Sequence, residues 1–178
     1  MERKKKNIIE LTNCSLREYR EVEKLPVAIL LDNVRSMYNV GAILRTADAF
    51  LLKEVILCGI TGCPPHPEIT KTALGAEESV KWIYKENAIE AVKEMQGEGW
   101  NICVLEQTHN SVKLQDFIPE RGKKYLLVAG NEVSGVDQNI IDLADTVLEI
   151  PQYGVKHSLN VSVSAGIALW QIISHMIQ

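Results

Sequence analysis

One stretch of the sequence decides the fold class, and it reads VAILLDNVRSMYNVGAILRTADAFLLKEVILC at residues 27–58. It begins with the apolar run Val27–Leu31 and ends with a second strand-like run, Glu54–Cys58. Continuous runs of this length are typical of strands that are buried on both faces of a sheet. Between them, apolar residues recur at helical spacing from 39 to 51. A strand, a helix and a strand in this order predict two parallel strands joined by a crossover.

This alternation continues through the rest of the chain. Further strands are predicted at 80–84, 101–105, 125–129 and 146–150, and further helices at 68–75, 87–96, 137–144 and 161–177. No internal repeat and no Pro/Gly/Ser-rich linker separates two cores. We therefore predict one α/β domain at 26–178, with a mostly parallel sheet and helices on both faces, preceded by a basic N-terminal extension at 1–25.

The composition is that of a globular protein with an acidic balance. Of the 178 residues, 46% are hydrophobic and 24% are charged, which excludes a disordered or collagen-like chain. The formal net charge of -4 excludes a uniformly basic nucleic-acid-binding surface. Acidic residues are concentrated between 61 and 150, whereas Arg3–Lys6 is a basic run. Such a run is either simply solvated or an arm that contacts phosphate.

The sequence also predicts the compartment and the absence of a metal. It contains no apolar stretch long enough for a membrane span and no secretory signal. Four cysteines in such a chain indicate reduced thiols, and hence a cytoplasmic protein. Cys58, Cys63 and His66 lie in one segment, but they lack a paired C-x2-C half and a clear fourth ligand. We therefore predict no bound metal.

Three polar segments follow predicted strands and therefore meet at one edge of a parallel sheet. In the first, Asn39 is placed as the N-cap of a helix whose apolar stripe leaves Arg45 about 160° away from the core. Arg45 is thus either an ordinary surface arginine or a functional one. The polar residues crowded into the same loop favour a function.

The second and third segments are glycine-bounded and hydroxyl-rich, respectively. Gly130 and Gly135 frame the second segment. These glycines indicate either a tight turn or a close approach of the backbone to a ligand, and the sequence favours neither. The spacing is not G-x-G-x-x-G, so a conventional dinucleotide site receives no support. In the third segment, Ser158 and Asn160 precede a long apolar helix and are either helix caps or site residues.

Taken in order, these segments resemble the three motifs of the TrmH (SpoU) family, within the SPOUT superfamily of RNA 2′-O-ribose methyltransferases. The matching stretches are the motif 1 segment (Asn33–Ala47), the motif 2 segment (Ala129–Gly135) and the motif 3 segment (Ser158–Gly166). The resemblance covers about residues 26–175, and it implies a C-terminal trefoil knot (the SPOUT, or α/β-knot, fold). It further implies bound S-adenosylmethionine and a homodimer that shares its active sites.

The resemblance also assigns residues. It places Gly130, Ile150 and Leu159 at cofactor-binding positions. It places Arg45, Asn39, Glu132, Ser158 and Asn160 at catalytic or substrate-positioning positions. Arg45 is then expected to bind a phosphate and stabilise the developing alkoxide. It is not expected to act as a base, because arginine side chains normally remain protonated and cannot accept a further proton. Asn39, Ser158 and Asn160 are expected to orient Arg45 and the ribose, and Glu132 to hold the loop or an arginine.

Two further expectations concern partners. In this family the last helix lies at the dimer interface, so its apolar face, Leu169, Ile172, Ile173 and Met176, packs either on a second copy or on the sheet. The substrate is expected to be RNA, with tRNA favoured over rRNA because only about 25 residues precede the first strand. The alternatives are a non-catalytic RNA-binding SPOUT protein and a small-molecule α/β enzyme.

Overall fold

The computed structural model describes residues 3 and 15–177, and its strands all run parallel in one sheet. Within the described residues the strands are β1 (Leu25–Asp32), β2 (Leu52–Cys58), β3 (Trp82–Lys85), β4 (Trp100–Leu105), β5 (Val112–Lys113), β6 (Lys124–Ala129) and β7 (Thr146–Glu149). The helices are α1 (Leu16–Glu21), α2 (Met37–Ala49), α3 (Pro67–Ala73), α4 (Ala76–Ser79), α5 (Ala88–Gly97), α6 (Gln138–Ile141) and α7 (Val161–Ser174), with a 3-10 turn at Leu114–Asp116.

The strand order β3-β2-β1-β6-β4-β7-β5 puts β1 near the centre of the sheet. Ile29 of β1 pairs with Val55 on one side and Leu127 on the other. Alternate residues of β1 point to opposite faces: Ile29 packs in the core that includes α2 and α7, and Leu30 in the core that includes α5 and α6. The predicted parallel sheet with helices on both faces is therefore confirmed.

The element boundaries differ from the predicted ones in instructive places. Helix α2 begins at Met37, and its N-cap is Ser36, whose hydroxyl accepts a hydrogen bond from the Asn39 N–H at 3.3 Å. The prediction that Asn39 is the N-cap is wrong, because Asn39 lies in the first turn and is buried. The short elements β5, α1 and α4 were not predicted, since none is long enough to carry a periodic pattern.

The last helix packs on the sheet through the face that contains Leu169, Ile172 and Ile173, all fully buried within the single chain. Ordinary packing is thus the correct interpretation of this face, and these residues are not available to a second copy. Met176 packs partly buried against the same core. The opposite face carries Val163, Ile167 and Trp170, between 43% and 52% exposed. We call these three residues the outer stripe of α7.

Helix α1, which precedes β1, packs on the domain. Ser15 and Glu18 form a capping box at the start of α1. Tyr19 is buried, and its hydroxyl donates to the Asp48 carbonyl at 3.3 Å, so α1 packs on the domain. The basic run falls outside the described residues except for Arg3, which is exposed. No helix in the described part of the chain is long and apolar enough to cross a membrane.

Candidate active site

A cavity of about 410 Å³ opens where β4, β6 and β7 end. Ligand pockets in open parallel sheets form at this edge, and the volume lies in the range of small-molecule sites. Two segments contribute much of its lining, the turn Gly130–Val136 and the segment Ile150–Leu159. Five of the residues singled out in the sequence line it: Gly130, Glu132, Ile150, Ser158 and Leu159.

The turn after β6 is closed by backbone contacts. The Asn131 N–H donates to the Gly135 carbonyl and the Gly135 N–H to the Asn131 carbonyl, both at 3.0 Å. A Cβ atom on Gly130 would lie 2.3 Å from the carbonyl carbon of Gly135. The turn therefore requires glycine at position 130, and only a backbone without side chains fits at this point of the cavity wall.

Glu132 joins this turn to the start of α2. Its carboxylate accepts hydrogen bonds from the Arg35 N–H at 2.9 Å, the Ser36 N–H at 3.0 Å and the Asn39 side-chain amide at 2.9 Å. Partial burial raises the pKa of Glu132, but these hydrogen bonds outweigh it, and the pKa lies below its ordinary value. The negative charge also lies at the N-terminal end of a helix, which stabilises it further.

Asn39 extends the same network to the start of α7. The Asn160 side-chain amide donates to the Asn39 side-chain oxygen at 3.0 Å. Asn160 is at the same time the N-cap of α7, because its oxygen accepts from the N–H groups of Ser162 and Val163. Asn39, Glu132 and Asn160 thus connect all three motif segments. Asn160 is therefore a helix cap, and its assignment as a site residue stays a prediction.

Arg45 lies apart from this network. It is exposed on α2, as its helical position predicted, and lines a different cavity of about 450 Å³ together with Lys71 and Thr72. The charged residues lining this second cavity are both basic. Among the residues that the structure describes, Arg45 has no hydrogen-bond or ion-pair partner. One chain therefore does not bring Arg45 to the cavity that Ser158 lines.

Two residues of the first cavity were missed in the sequence, Glu106 and Gln107, which follow β4 directly. The Gln107 side-chain amide donates to the His157 carbonyl at 2.8 Å and so tethers the exposed segment that leads to Ser158. The sequence could have indicated both residues, because polar residues that follow a buried strand lie at the carboxyl edge of a parallel sheet.

Cys58 is the last residue of β2, and His66 lies at the start of α3. Burial, together with the charge of Asp32, raises the pKa of Cys58 to about 12, so its thiol stays protonated at neutral pH. His66 caps α3, where its ring nitrogen accepts from the Glu68 N–H. Within the described residues there is no group of three or more His, Cys, Asp or Glu side chains that could hold an ion.

The three hydrogen bonds that the Glu132 carboxylate accepts lead to a prediction about the pH dependence of stability. A carboxylate whose folded-state pKa is lowered stabilises the fold above its unfolded-state pKa of about 4.3, and this contribution is lost as the pH falls through the folded-state value. The Glu132→Gln variant should therefore have a lower urea midpoint than the unmodified protein at pH 7, and this difference should shrink near pH 3. Glu86→Gln, at an exposed carboxylate, is the control. An equal difference for Glu132→Gln at both pH values would contradict the claim that the ionised carboxylate of Glu132 stabilises the fold.

Comparison with protein families identifies one matching model. The model described as the SpoU rRNA Methylase family matches residues 26–170. The chain is 32% identical over 162 residues to a tRNA (guanosine(18)-2'-O)-methyltransferase of Aquifex aeolicus. This alignment covers 88% of this chain and 72% of that protein. It is also 32% identical over 153 residues to a 23S rRNA (guanosine-2'-O-)-methyltransferase RlmB of Ralstonia nicotianae, covering 85% of this chain and 60% of the relative.

Solved structures give a similar picture. An AdoMet-bound rRNA methyltransferase from Sinorhizobium meliloti superposes with a TM-score of 0.80 and 26% identity, over 90% of this chain and 61% of that one. The TrmH/SpoU tRNA modifying enzyme of A. aeolicus superposes with a TM-score of 0.79 and 29% identity, over 90% and 81%. The chain thus spans between three fifths and about four fifths of the length of these four proteins.

Proposed function

This chain belongs to the SpoU rRNA Methylase family, and we propose that it is an S-adenosylmethionine-dependent RNA 2′-O-ribose methyltransferase. The observation that carries this proposal is the convergence of the three motif segments, joined by Asn39, Glu132 and Asn160 beside one cavity. Relatives whose names state 2′-O-methylation of guanosine, and a neighbouring structure with bound AdoMet, support it.

The cavity suits this cofactor chemically. Three carboxylates line it, those of Glu106, Glu132 and Glu149, and none of its described lining residues is a lysine or an arginine. This lining is complementary to a cationic sulfonium that also carries an ammonium group. Apolar residues along the wall suit the adenine ring: Leu105, Ile141, Leu148, Ile150 and Leu159. We assign Gly130, Ile150 and Leu159 to the cofactor.

When bound, S-adenosylmethionine supplies an activated methyl group. The residues of this chain must then position a ribose 2′-hydroxyl and stabilise the negative charge that develops on its oxygen. Arg45 suits both tasks, because its guanidinium stays charged and can bind a neighbouring phosphate through two donors. Ser158 lines the cavity, and we assign its hydroxyl to the ribose.

Asn39, Glu132 and Asn160 act as positioning residues in this proposal. The Asn39 amide donates to Glu132 and its oxygen accepts from Asn160, so the polar atoms of this side chain are already engaged within the protein. Their function is to hold the turn after β6, the start of α2 and the start of α7 in one arrangement. The earlier expectation that Asn39 and Asn160 orient Arg45 directly has no contact to support it among the described residues.

A homodimer would bring Arg45 to a cavity. The outer stripe of α7 is exposed and apolar, although a helix that is apolar on all sides is normally buried. We propose that a second copy covers this stripe, and that the cavity of each subunit is completed by Arg45 of the partner subunit. Two observations support both parts of this proposal: the outer stripe stays about half exposed although Trp170 contacts the Phe50 ring, and the Arg45 side chain has no partner among the described residues.

The stripe can be tested by introducing a charge. Ile167→Glu places a carboxylate in the proposed interface, where an unpaired buried charge costs several kcal/mol, so dimer affinity should fall by about 100-fold or more. Sedimentation velocity should show a dimer for the unmodified protein and a monomer for this variant. Ile118→Glu, at a residue 73% exposed elsewhere, should remain a dimer. An unmodified protein that sediments as a monomer would refute the interface.

The substrate, the knot, the location and the domain bounds are also part of this proposal. We propose tRNA as the substrate, supported by the longer alignment to the tRNA enzyme, 162 residues against 153 for the rRNA enzyme. We further propose a C-terminal trefoil knot, a cytoplasmic location and a methyltransferase domain at 26–178, as the family resemblance implies.

Titration calorimetry with S-adenosylmethionine tests the proposed function at its first step. Binding is expected at one site per chain, and its absence would refute the enzyme. The alternative of a non-catalytic RNA-binding protein predicts RNA binding without methyl transfer. The small-molecule enzyme predicts turnover that neither needs RNA nor depends on Arg45.

A further inference from the structure

Three carboxylates face the cofactor cavity, but two of them are already committed to the protein. Glu132 accepts three hydrogen bonds at the start of α2. Glu149 pairs with Lys113 at 2.8 Å through one oxygen and accepts a short hydrogen bond from Ser111 through the other. Both carboxylates therefore hold the wall together. The third, Glu106, is held differently.

Glu106 is the half-buried residue that follows the last residue of β4. One of its oxygens accepts the Gln107 N–H at 2.8 Å, and the other accepts the Val136 N–H at 3.1 Å. Its carboxylate has no cationic partner among the residues that the structure describes. A carboxylate oxygen accepts about two hydrogen bonds, so each oxygen of Glu106 retains one acceptor position.

The close approach of the turn after β6 fixes this carboxylate. A Cβ on Gly135 would lie 2.2 Å from the Glu106 Oε2 atom, and Gly135 has a φ of +70°. Glycine at 135 thus allows both the turn and the contact between Glu106 and the Val136 N–H. A carboxylate that is immobilised by two N–H groups, with one acceptor position left on each oxygen, is prepared to accept two further donors.

We propose that Glu106 is a cofactor-binding residue that accepts hydrogen bonds from the two ribose hydroxyls of the adenosyl group. This inference rests on the proposed function, since it assumes that the cavity binds an adenosyl cofactor. Two neighbouring hydroxyls match the two oxygens of one carboxylate, as in bidentate recognition generally. Glu106 gives the site selectivity for a ribose over a deoxyribose.

The surroundings of Glu106 favour the ribose over the cofactor's ammonium group. Glu106 follows Leu105 directly, and its N–H donates to the Leu148 carbonyl at 3.0 Å; both apolar residues line the cavity and suit the adenine ring. The ribose is bonded directly to adenine, whereas the ammonium lies at the far end of the cofactor. A carboxylate beside the apolar part of the cavity is therefore placed for the ribose.

Calorimetric titration of the unmodified protein tests the proposal first. The ligands are S-adenosylhomocysteine, its 2′-deoxy and 3′-deoxy analogues, and 5′-methylthioadenosine, which lacks the amino-acid part. Each deoxy analogue should bind about 10- to 100-fold more weakly than S-adenosylhomocysteine, the usual value of a hydrogen bond to a charged group. Equal affinities would overturn the proposal without any variant. Failure of S-adenosylhomocysteine itself to bind would overturn both this inference and the proposed function.

The Glu106→Gln variant then assigns the selectivity to this side chain. It should bind S-adenosylhomocysteine and 5′-methylthioadenosine more weakly by the same factor, and the deoxy analogues should lose their relative penalty. A purely structural effect on the turn would leave that penalty unchanged and would overturn the assignment while the proposed function stands. Weaker binding of S-adenosylhomocysteine alone would place the ammonium at Glu106 and overturn the ribose contact.

A matched control removes a charge from the same cavity. Glu149→Gln makes the same chemical change at a carboxylate that is committed to Lys113 and Ser111. Its penalty for the deoxy analogues should equal that of the unmodified protein. A loss of that penalty in Glu149→Gln as well would contradict a specific function for Glu106.

Discussion

Replacing Arg45 by alanine is expected to lower the rate of RNA methylation by about 100- to 1,000-fold, the usual loss when one charge-stabilising donor is removed. Affinity for the cofactor should be unchanged, because Arg45 does not line the cavity at the ends of β4, β6 and β7. Initial rates with tRNA, together with calorimetric titration of S-adenosylhomocysteine, measure the two effects separately.

Two further variants make the Arg45 prediction specific. Arg45→Lys keeps the charge but loses the planar pair of donors, so it should recover only part of the rate. Arg121→Ala removes an exposed arginine outside the motif segments and should leave the rate unchanged. Full activity in Arg45→Ala would refute the function assigned to this side chain, and weakened cofactor binding would show that it acts on the cavity instead.

Replacing Gly130 by alanine is expected to weaken cofactor binding by up to roughly 100-fold. The added Cβ would lie 2.3 Å from the Gly135 carbonyl carbon and 2.4 Å from the Val136 nitrogen, so the turn that forms the cavity wall must move. Overpacking of this kind costs typically about 1–3 kcal/mol, which at its upper end corresponds to roughly a 100-fold loss of affinity. Calorimetric titration with S-adenosylhomocysteine measures it.

Gly154 offers a matched control for this substitution. It lies in the segment Ile150–Leu159, and a Cβ there would meet no atom within 4 Å. Gly154→Ala should bind S-adenosylhomocysteine as the unmodified protein does. Unchanged binding by Gly130→Ala would mean that the turn after β6 does not shape the cofactor site.

The Arg45→Ala and Gly130→Ala variants, assayed at a cofactor concentration that does not saturate Gly130→Ala, should complement each other if the active site is shared between subunits. In a mixed dimer, the subunit with alanine at 45 provides the intact cavity and the subunit with alanine at 130 provides the intact arginine. Mixing the two should restore about a quarter of the activity, because half of randomly assembled dimers are mixed and each then has one intact site. No restoration would place the complete site within one chain.

The fold was predictable because its physical signal is local. Strands buried on both faces must be apolar at successive positions, and Val27–Leu31 and Tyr125–Ala129 are. The start of a helix was less predictable where two nearby residues could each serve as its N-cap. Both Ser36 and Asn39 are good N-caps, and the choice between them depends on Glu132, a residue distant in sequence that contacts the Asn39 amide.

The last helix shows a second limit of sequence reasoning. Helix α7 is apolar around most of its circumference, so its pattern does not say which face meets the sheet. The face with Leu169 and Ile172 was considered for the dimer, and the structure buries it in the monomer. Ile167 and Trp170, on the other side, are the residues left exposed.

Within the site, motif positions were predictable but their contacts were not. Asn39 and Asn160 were singled out as separate residues, and only the fold shows that they bond to each other at 3.0 Å. Glu106 carried no motif signal, because its importance comes from the approach of Gly135 and Val136, about 30 positions later in the chain. The separation of Arg45 from the cofactor cavity likewise follows from three-dimensional packing.

The central claim, methylation of a ribose 2′-oxygen in RNA, is tested most directly by incubating the purified protein with methyl-labelled S-adenosylmethionine and separate tRNA and rRNA pools. Complete digestion to nucleosides then identifies the labelled product. We predict label in a 2′-O-methylnucleoside, greatest in the tRNA pool and absent with Arg45→Ala. Label confined to a base, or no transfer to either RNA by a protein that binds the cofactor, would contradict the account.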